Sequence, residues 1–143
     1  MTLDELSAHF GRIAHEMEAT ASQVVEDAIK DTLVAAEMLS SGVYTTADLR
    51  ELGHPYAKRD PRPPQDAAII NRQTGRFQRS WKPKRLSAFH AQVINDSPEA
   101  EFLAKKEGTA RMIARPLVER VEEQVKPIYE RRAAAALKAL FEE

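Results

Sequence analysis

The sequence predicts an α+β fold: a long N-terminal helix, a small antiparallel sheet and a C-terminal helix packed on that sheet. Three observations predict it. Apolar residues recur every three or four positions from Leu6 to Leu39. The period drops to two around Phe77–Trp81 and again around Phe89–Val93. It returns to three or four from Leu117 to Phe141. The first and last patterns belong to amphipathic helices and the middle one to half-buried strands. A chain of 143 residues fits one domain, 1–143, and can bury a core without staples.

The first helix, segment 1–42, starts on a capping box. Thr2 can accept from the backbone of Glu5, and Glu5 can reach back to Thr2. Leu6, Phe10, Ile13, Met17, Ala21, Val24 and Ala28 form its stripe, and Ile29, Leu33, Ala36 and Leu39 extend it. Ser40-Ser41-Gly42 ends the run, with Gly42 suited to close the helix. A short helix over Ala47–Leu52 follows, capped by Thr46 and ended by Gly53. Four of the eight prolines then fall between 55 and 64. Proline at that density prevents regular structure, so 54–72 is predicted to be a basic, Pro-rich arm or loop.

Residues 73–142 are predicted to hold the sheet and the terminal helix. Thr74-Gly75 supplies a turn. A strand over Arg76–Lys82 would place Phe77, Arg79 and Trp81 on one side. A second would alternate Phe89, Ala91 and Val93 with His90, Gln92 and Ile94, leaving Pro83-Lys84-Arg85 in the turn region. Asn95-Asp96-Ser97-Pro98 stops the second strand, and Ser97 can cap a short helix over Glu99–Lys106. Gly108 permits a turn, Met112 is an adaptable apolar plug, and Pro116 suits the first turn of the last helix. Leu117, Val121, Val125, Ile128, Leu137 and Phe141 give that helix its stripe. Pro127 lies inside it and is expected to kink or interrupt it.

Composition narrows the function classes. There is no cysteine, so thiol catalysis, thiolate metal sites and disulfides are excluded. His9 and His15 fall on different helix faces, and no His-Glu-x-x-His brings them or His54 and His90 into a metal motif. The five glycines include no phosphate-binding spacing. No serine nucleophile motif stands out, and Glu122-Glu123 sit on a solvated helix pattern. The chain is therefore expected to be no enzyme, with no catalytic, cofactor or metal residues. No apolar run approaches the roughly 20 residues of a membrane span. The start, Met1-Thr2-Leu3-Asp4-Glu5, is unlike a signal peptide. A cytoplasmic site of synthesis and assembly is expected.

The net charge of −1 conceals three blocks. Residues 1–57 carry three basic and ten acidic residues, residues 58–85 nine and two, and residues 86–143 nine and ten. Charge segregated in this way bears on partners. An acidic face and a basic arm on one chain favour head-to-tail contacts between copies, which close into rings when the rotation fits. Lys58, Arg59 and Arg62 of the arm would meet Glu16, Glu26, Asp27 or Glu37 of a neighbour.

Several short motifs occur in a particular order. Thr74-Gly75-Arg76-Phe77-Gln78-Arg79-Ser80 comes first and Val93-Ile94-Asn95 second. Phe102-Leu103-Ala104, Glu107-Gly108-Thr109 and Met112-Ile113-Ala114-Arg115-Pro116 complete the series. In this order they resemble the tailed-phage tail-component family, which includes neck, tail-completion and head-to-tail joining proteins. The resemblance covers about residues 73–118. A Tyr-Ala usual before the Glu-Gly-Thr is replaced by the neighbourhood of Ala100-Glu101-Phe102, and a usual Pro-Phe by Pro116-Leu117. The long first helix and the arm from His54 to Ile70 stand outside the pattern.

The resemblance implies a homomeric ring, usually of six subunits, in the virion neck. It would lie between a head-completion or connector protein and the tail terminator or tail-tube proteins, with DNA passing non-specifically through its centre and no cofactor. Subunit or neighbouring-ring contacts would then fall to Lys58, Arg59, Arg62, Trp81, Met112 and Arg115. Lys82, Lys84 and Arg85 would be candidates to face the DNA channel. A tail terminator or a head-completion protein would be the same class at a neighbouring position. The reading from another class is a free-standing nucleic-acid-binding module with Phe77 and Trp81 as stacking surfaces; a pI of about 6.4 speaks against it, since such domains usually run basic.

Overall fold

The computed structural model describes residues 2–42, 70, 75–103 and 116–141. Helix α1 spans Leu3–Leu39, α2 Arg76–Arg79, β1 Trp81–Arg85, β2 Ala91–Asn95, α3 Ala100–Leu103 and α4 Leu117–Phe141. The class is α+β, as the periodicities predict. The predicted helix over Ala47–Leu52, most of the 54–72 arm and the Gly108–Arg115 block lie outside the described residues.

Helix α1 begins as its sequence requires. The Thr2 side chain accepts from the Glu5 N–H at 3.2 Å, and the Thr2 N–H donates to the Glu5 carboxylate at 2.7 Å. Its other end differs from the expectation at Gly42. Ser40 is the cap residue, its N–H donating to the carbonyls of Ala36 and Glu37 at 3.1 Å. Gly42 instead donates to the Ile70 carbonyl at 3.2 Å, while the Ile70 N–H donates to the Leu39 carbonyl at 2.7 Å. Ile70, at the far end of the arm segment, is thereby pinned to the end of α1 and buried.

Helix α4 runs back along α1, and this is the main helix–helix contact of the fold. The core gathers at one end of the pair. Ala35, Ala36 and Leu39 of α1 meet Leu117, Val121 and Val125 of α4, with Ile70 and Phe77 completing the cluster and Trp81, Ala100 and Leu103 packed against it. Arg132 of α4 also pairs with Asp31 of α1 across the rim. Of the kink or interruption expected at Pro127, the interruption does not occur: α4 runs through it. Pro127 is exposed, so the Glu123 carbonyl, which loses its N–H partner, is beside solvent and not in the core.

The hairpin is antiparallel, with Trp81 opposite Asn95, Pro83 opposite Val93 and Arg85 opposite Ala91. It corrects two sequence expectations. Arg76–Arg79 is a turn of helix and not the start of a strand. Gly75, at φ 77°, provides the left-handed entry that a side chain would disfavour. Pro83-Lys84-Arg85 lies within β1, and the turn falls at Leu86–His90, closed by the Leu86 N–H to the His90 carbonyl at 2.9 Å. That bond and the Asp96 N–H to the Ser80 carbonyl at 3.3 Å fix the alternation of the ladder. Pro83 then falls in a non-hydrogen-bonded pair, where its missing N–H deprives the ladder of nothing. The Ser97 hydroxyl makes no hydrogen bond, so the cap expected before α3 comes instead from its carbonyl, which accepts from Ala100 at 3.1 Å.

Candidate functional site

The side chains of β1 divide between two faces, and the division sorts the candidate residues. Trp81, Pro83 and Arg85 turn toward α1, and Lys82 and Lys84 turn outward. Trp81 is half-buried. Its ring meets Phe77 edge to face, with centroids 5.6 Å apart and planes at 76°. Its indole N–H donates to the Ser40 hydroxyl at 3.0 Å, and that hydroxyl donates to the Ala36 carbonyl at 2.7 Å. The polar handle of Trp81 is thus spent inside the subunit, and a neighbour can meet only the open part of the ring.

Ser40 is almost fully buried, so this relay has a measurable consequence. Ser40→Ala leaves the indole N–H unpaired in a dry setting, which costs about 1–3 kcal/mol. A denaturation midpoint followed through Trp81, the only tryptophan, should fall accordingly with an unchanged slope. A midpoint equal to that of the parent would show that the relay contributes nothing.

Arg85 is a strut between the hairpin and α1. Its guanidinium donates to the Ser22 hydroxyl at 2.9 Å and to the Ala88 and Ser87 carbonyls at 2.6 Å, and it lies 3.8 Å from the Glu26 carboxylate. Lys82 pairs with Asp96 on the outer face. Lys84 has no ion pair among the described residues. Of the three residues considered for a channel, Lys82 and Lys84 lie on the outer face of the hairpin, and Lys82 is already paired there with Asp96.

Internal partners also engage part of the acidic helix face. Glu26 lies 3.8 Å from both Lys30 and Arg85, and Asp27 accepts from the Gln23 amide at 3.1 Å. Glu16 and Glu37 remain exposed. Lys58, Arg59, Arg62, Met112 and Arg115 lie outside the described residues. Phe77, at 7% exposure, cannot offer a face to a base, which removes one of the two stacking surfaces that the nucleic-acid-binding reading needs. Among the described residues no group of three or more His, Asp or Glu side chains could hold a metal ion, and no helix is long and apolar enough to cross a membrane.

Sequence reasoning missed the surface that is most conspicuous in three dimensions. Among the described residues, α4 lies against the α1 stripe from about Ala14 onward. Ahead of that point Leu3 and Phe10 are open and Leu6 is partly so, and Met17, Tyr129, Leu137 and Phe89 are also exposed. Beside this stretch, an apolar groove of about 470 Å³ opens between α1 and α4, with Phe89 of the hairpin turn at its edge. The alternation of apolar residues identified the stripe, but where α4 ends against it is a fact of packing.

Comparisons of the chain with protein-family models, with characterised proteins and with solved structures find no match.

Proposed function

We propose that this chain is a structural subunit of the neck of a tailed phage. Copies of it form a ring that joins the DNA-filled head to the tail and lets DNA pass through. The reading is carried by the order of the motifs Thr74-Gly75, Val93-Ile94-Asn95, Gly108-Thr109 and Ala114-Arg115-Pro116. Taken singly each is a short and common motif, and their succession is what resembles the neck and tail-completion proteins. The exposed Leu3, Phe10, Phe89 and Leu137 side chains suit a subunit that meets neighbours.

In this reading the protein performs no catalytic step and uses no cofactor. It works by shape and charge. Lys82 and Lys84 on the outward hairpin face would line the passage and meet phosphates without regard to sequence. Lys58, Arg59 and Arg62 would reach a neighbouring copy or ring, where charge complementarity sets register and speeds assembly. Met112 and Arg115, at the entry to α4, would belong to the same contacts, together with the open part of Trp81. Above and below stand a head-completion or connector protein and the tail terminator or tail-tube proteins. The place of work is the virion, after assembly in the host cytoplasm.

Electron microscopy of the concentrated protein tests this, paired with a salt titration of duplex-DNA binding. Rings with a central opening wide enough for duplex DNA are expected, and weak or no DNA binding by the single subunit. Tight binding by the monomer with a steep salt slope would overturn the proposal in favour of a nucleic-acid-binding module.

A further inference from the structure

Two apolar surfaces of this molecule match each other. The first is the start of α1. Leu3, Leu6, Phe10 and Ile13 follow one another at intervals of three, four and three, the spacing of a seam that packs against other helices. Helix α4 covers the continuation of that seam and ends at Phe141, one residue past Leu140, which lines the groove with Ala14 and Met17. The residues ahead of that point overhang, and Leu3 and Phe10 are 85% and 62% exposed. Leu3 to Ile13 extends about 15 Å at 1.5 Å per residue.

The second surface is the groove. Ala14 to Val25 of α1 form one wall, Tyr129 to Leu140 of α4 the other, and Phe89, 64% exposed, closes one side. Each wall is eleven residue steps long, about 16 Å. It is a slot flanked by two helices, as long as the overhang and lined by the residue types that a third helix covers.

We propose that the overhanging start of α1 in one copy lies in the α1–α4 groove of the next, making a three-helix contact between subunits. The proposal rests on the ring reading and adds to it the contact that would build the ring. The two surfaces differ and sit on one chain, so the contact is head-to-tail. Such a contact covers both surfaces of every subunit only when the series closes. A symmetric pairing of two overhangs would leave both grooves open. A buried aromatic side chain contributes about 150–250 Å². Phe10 and Leu3 on one side and Phe89, Tyr129 and Leu137 on the other are the exposed apolar side chains that this contact would cover. Each subunit makes the contact twice, once with each neighbour.

The absence of native cysteine makes a clean test. Leu6→Cys marks the overhang and Ala136→Cys the groove. Within one chain Ala136 lies opposite the Met17–Thr20 stretch, some 20 Å along α1 from Leu6, far beyond the roughly 7 Å limit of a disulfide. Mixing the two single variants under mild oxidation should give a cross-linked heterodimer, while neither variant alone cross-links. The double variant should give a ladder up to the ring. Phe10→Glu, an exposed change, should abolish rings while leaving the thermal midpoint where it was. Cross-linking of Leu6→Cys with itself would overturn the proposal in favour of symmetric pairing. Rings that persist in Phe10→Glu, without the heterodimer, would overturn this contact and leave the ring reading standing. A parent protein that stays solitary at every concentration and gives no cross-link would overturn both.

Discussion

Phe77→Ala is expected to destabilise the fold by about 3–5 kcal/mol, as deletion of a buried aromatic ring generally does. The ring is buried at the point where α1, the hairpin and α4 converge. Its removal opens a cavity and takes away the edge-to-face partner of Trp81. The effect spreads because the Phe77 carbonyl accepts from the Asn95 amide at 2.7 Å, and the Asn95 side-chain oxygen accepts from the Ser97 N–H at 3.0 Å. One turn of helix thus holds both the start of β1 and the end of β2. At roughly 4 °C per kcal/mol, between the values for smaller and larger domains, the thermal midpoint should drop roughly 12–20 °C. Tryptophan emission should shift red as Trp81 gains solvent. Phe141→Ala removes an equally large ring that is exposed, and should move the midpoint by no more than about 0.5 kcal/mol. Equal losses from the two would mean that this core is not where the stability resides.

The fate of Phe77 also shows what the sequence disclosed. Phe77 and Trp81 were legible as partners because they share both parities: four apart is one face of a strand and one face of a helical turn. The pairing was right and the local structure wrong, since a seven-residue window cannot separate the two periods. Pro83 misled in a different way. A proline between two apolar alternations reads as a turn, yet β1 is an edge strand and Pro83 occupies a non-hydrogen-bonded position, where proline is tolerated. The long helices were legible almost to the residue because a capping box and many turns of stripe agree. Their mutual placement was not. Nothing in the spacing of Leu3 and Phe10 says that α4 stops short of them. That distance depends on how the segments between the helices run, and it decides whether an apolar stripe becomes core or contact surface.

Charge was the least legible feature. Lys82, Lys84 and Arg85 look alike in a row, and a strand assigns them to opposite faces. Arg85 then becomes a strut to Ser22 and Glu26, while the two lysines lie on the outer face, Lys82 paired with Asp96. Exposed pairs such as Lys82 with Asp96 contribute little to stability, about 0–1 kcal/mol. Their value in a neck ring would lie in what the outward face meets.

Pro127→Ala should make the protein more stable. Proline in a helix interior is about 3 kcal/mol worse than alanine, because it lacks the N–H and its ring crowds the carbonyl one turn back. Two effects work against that gain. Alanine frees the unfolded chain, which costs about 0.4–1 kcal/mol, and the existing helix has already accommodated the proline. A net gain of about 1–2 kcal/mol remains, and no packing is lost, since Pro127 is exposed. Chemical denaturation should show a higher midpoint at constant slope; a lower one would mean that Pro127 supports the fold in a way its exposure conceals. The position also bears on assembly. Pro127 stands two residues before Tyr129, where the α4 wall of the groove begins, and a proline lets the helix beyond it lean away from the axis before it. Restoring the backbone hydrogen bond at this position would then act on the wall of the slot that a neighbouring α1 is proposed to enter. A variant that is more stable as a monomer yet poorer at forming rings would indicate that the proline is kept for the shape of the groove, at the expense of the helix that carries it.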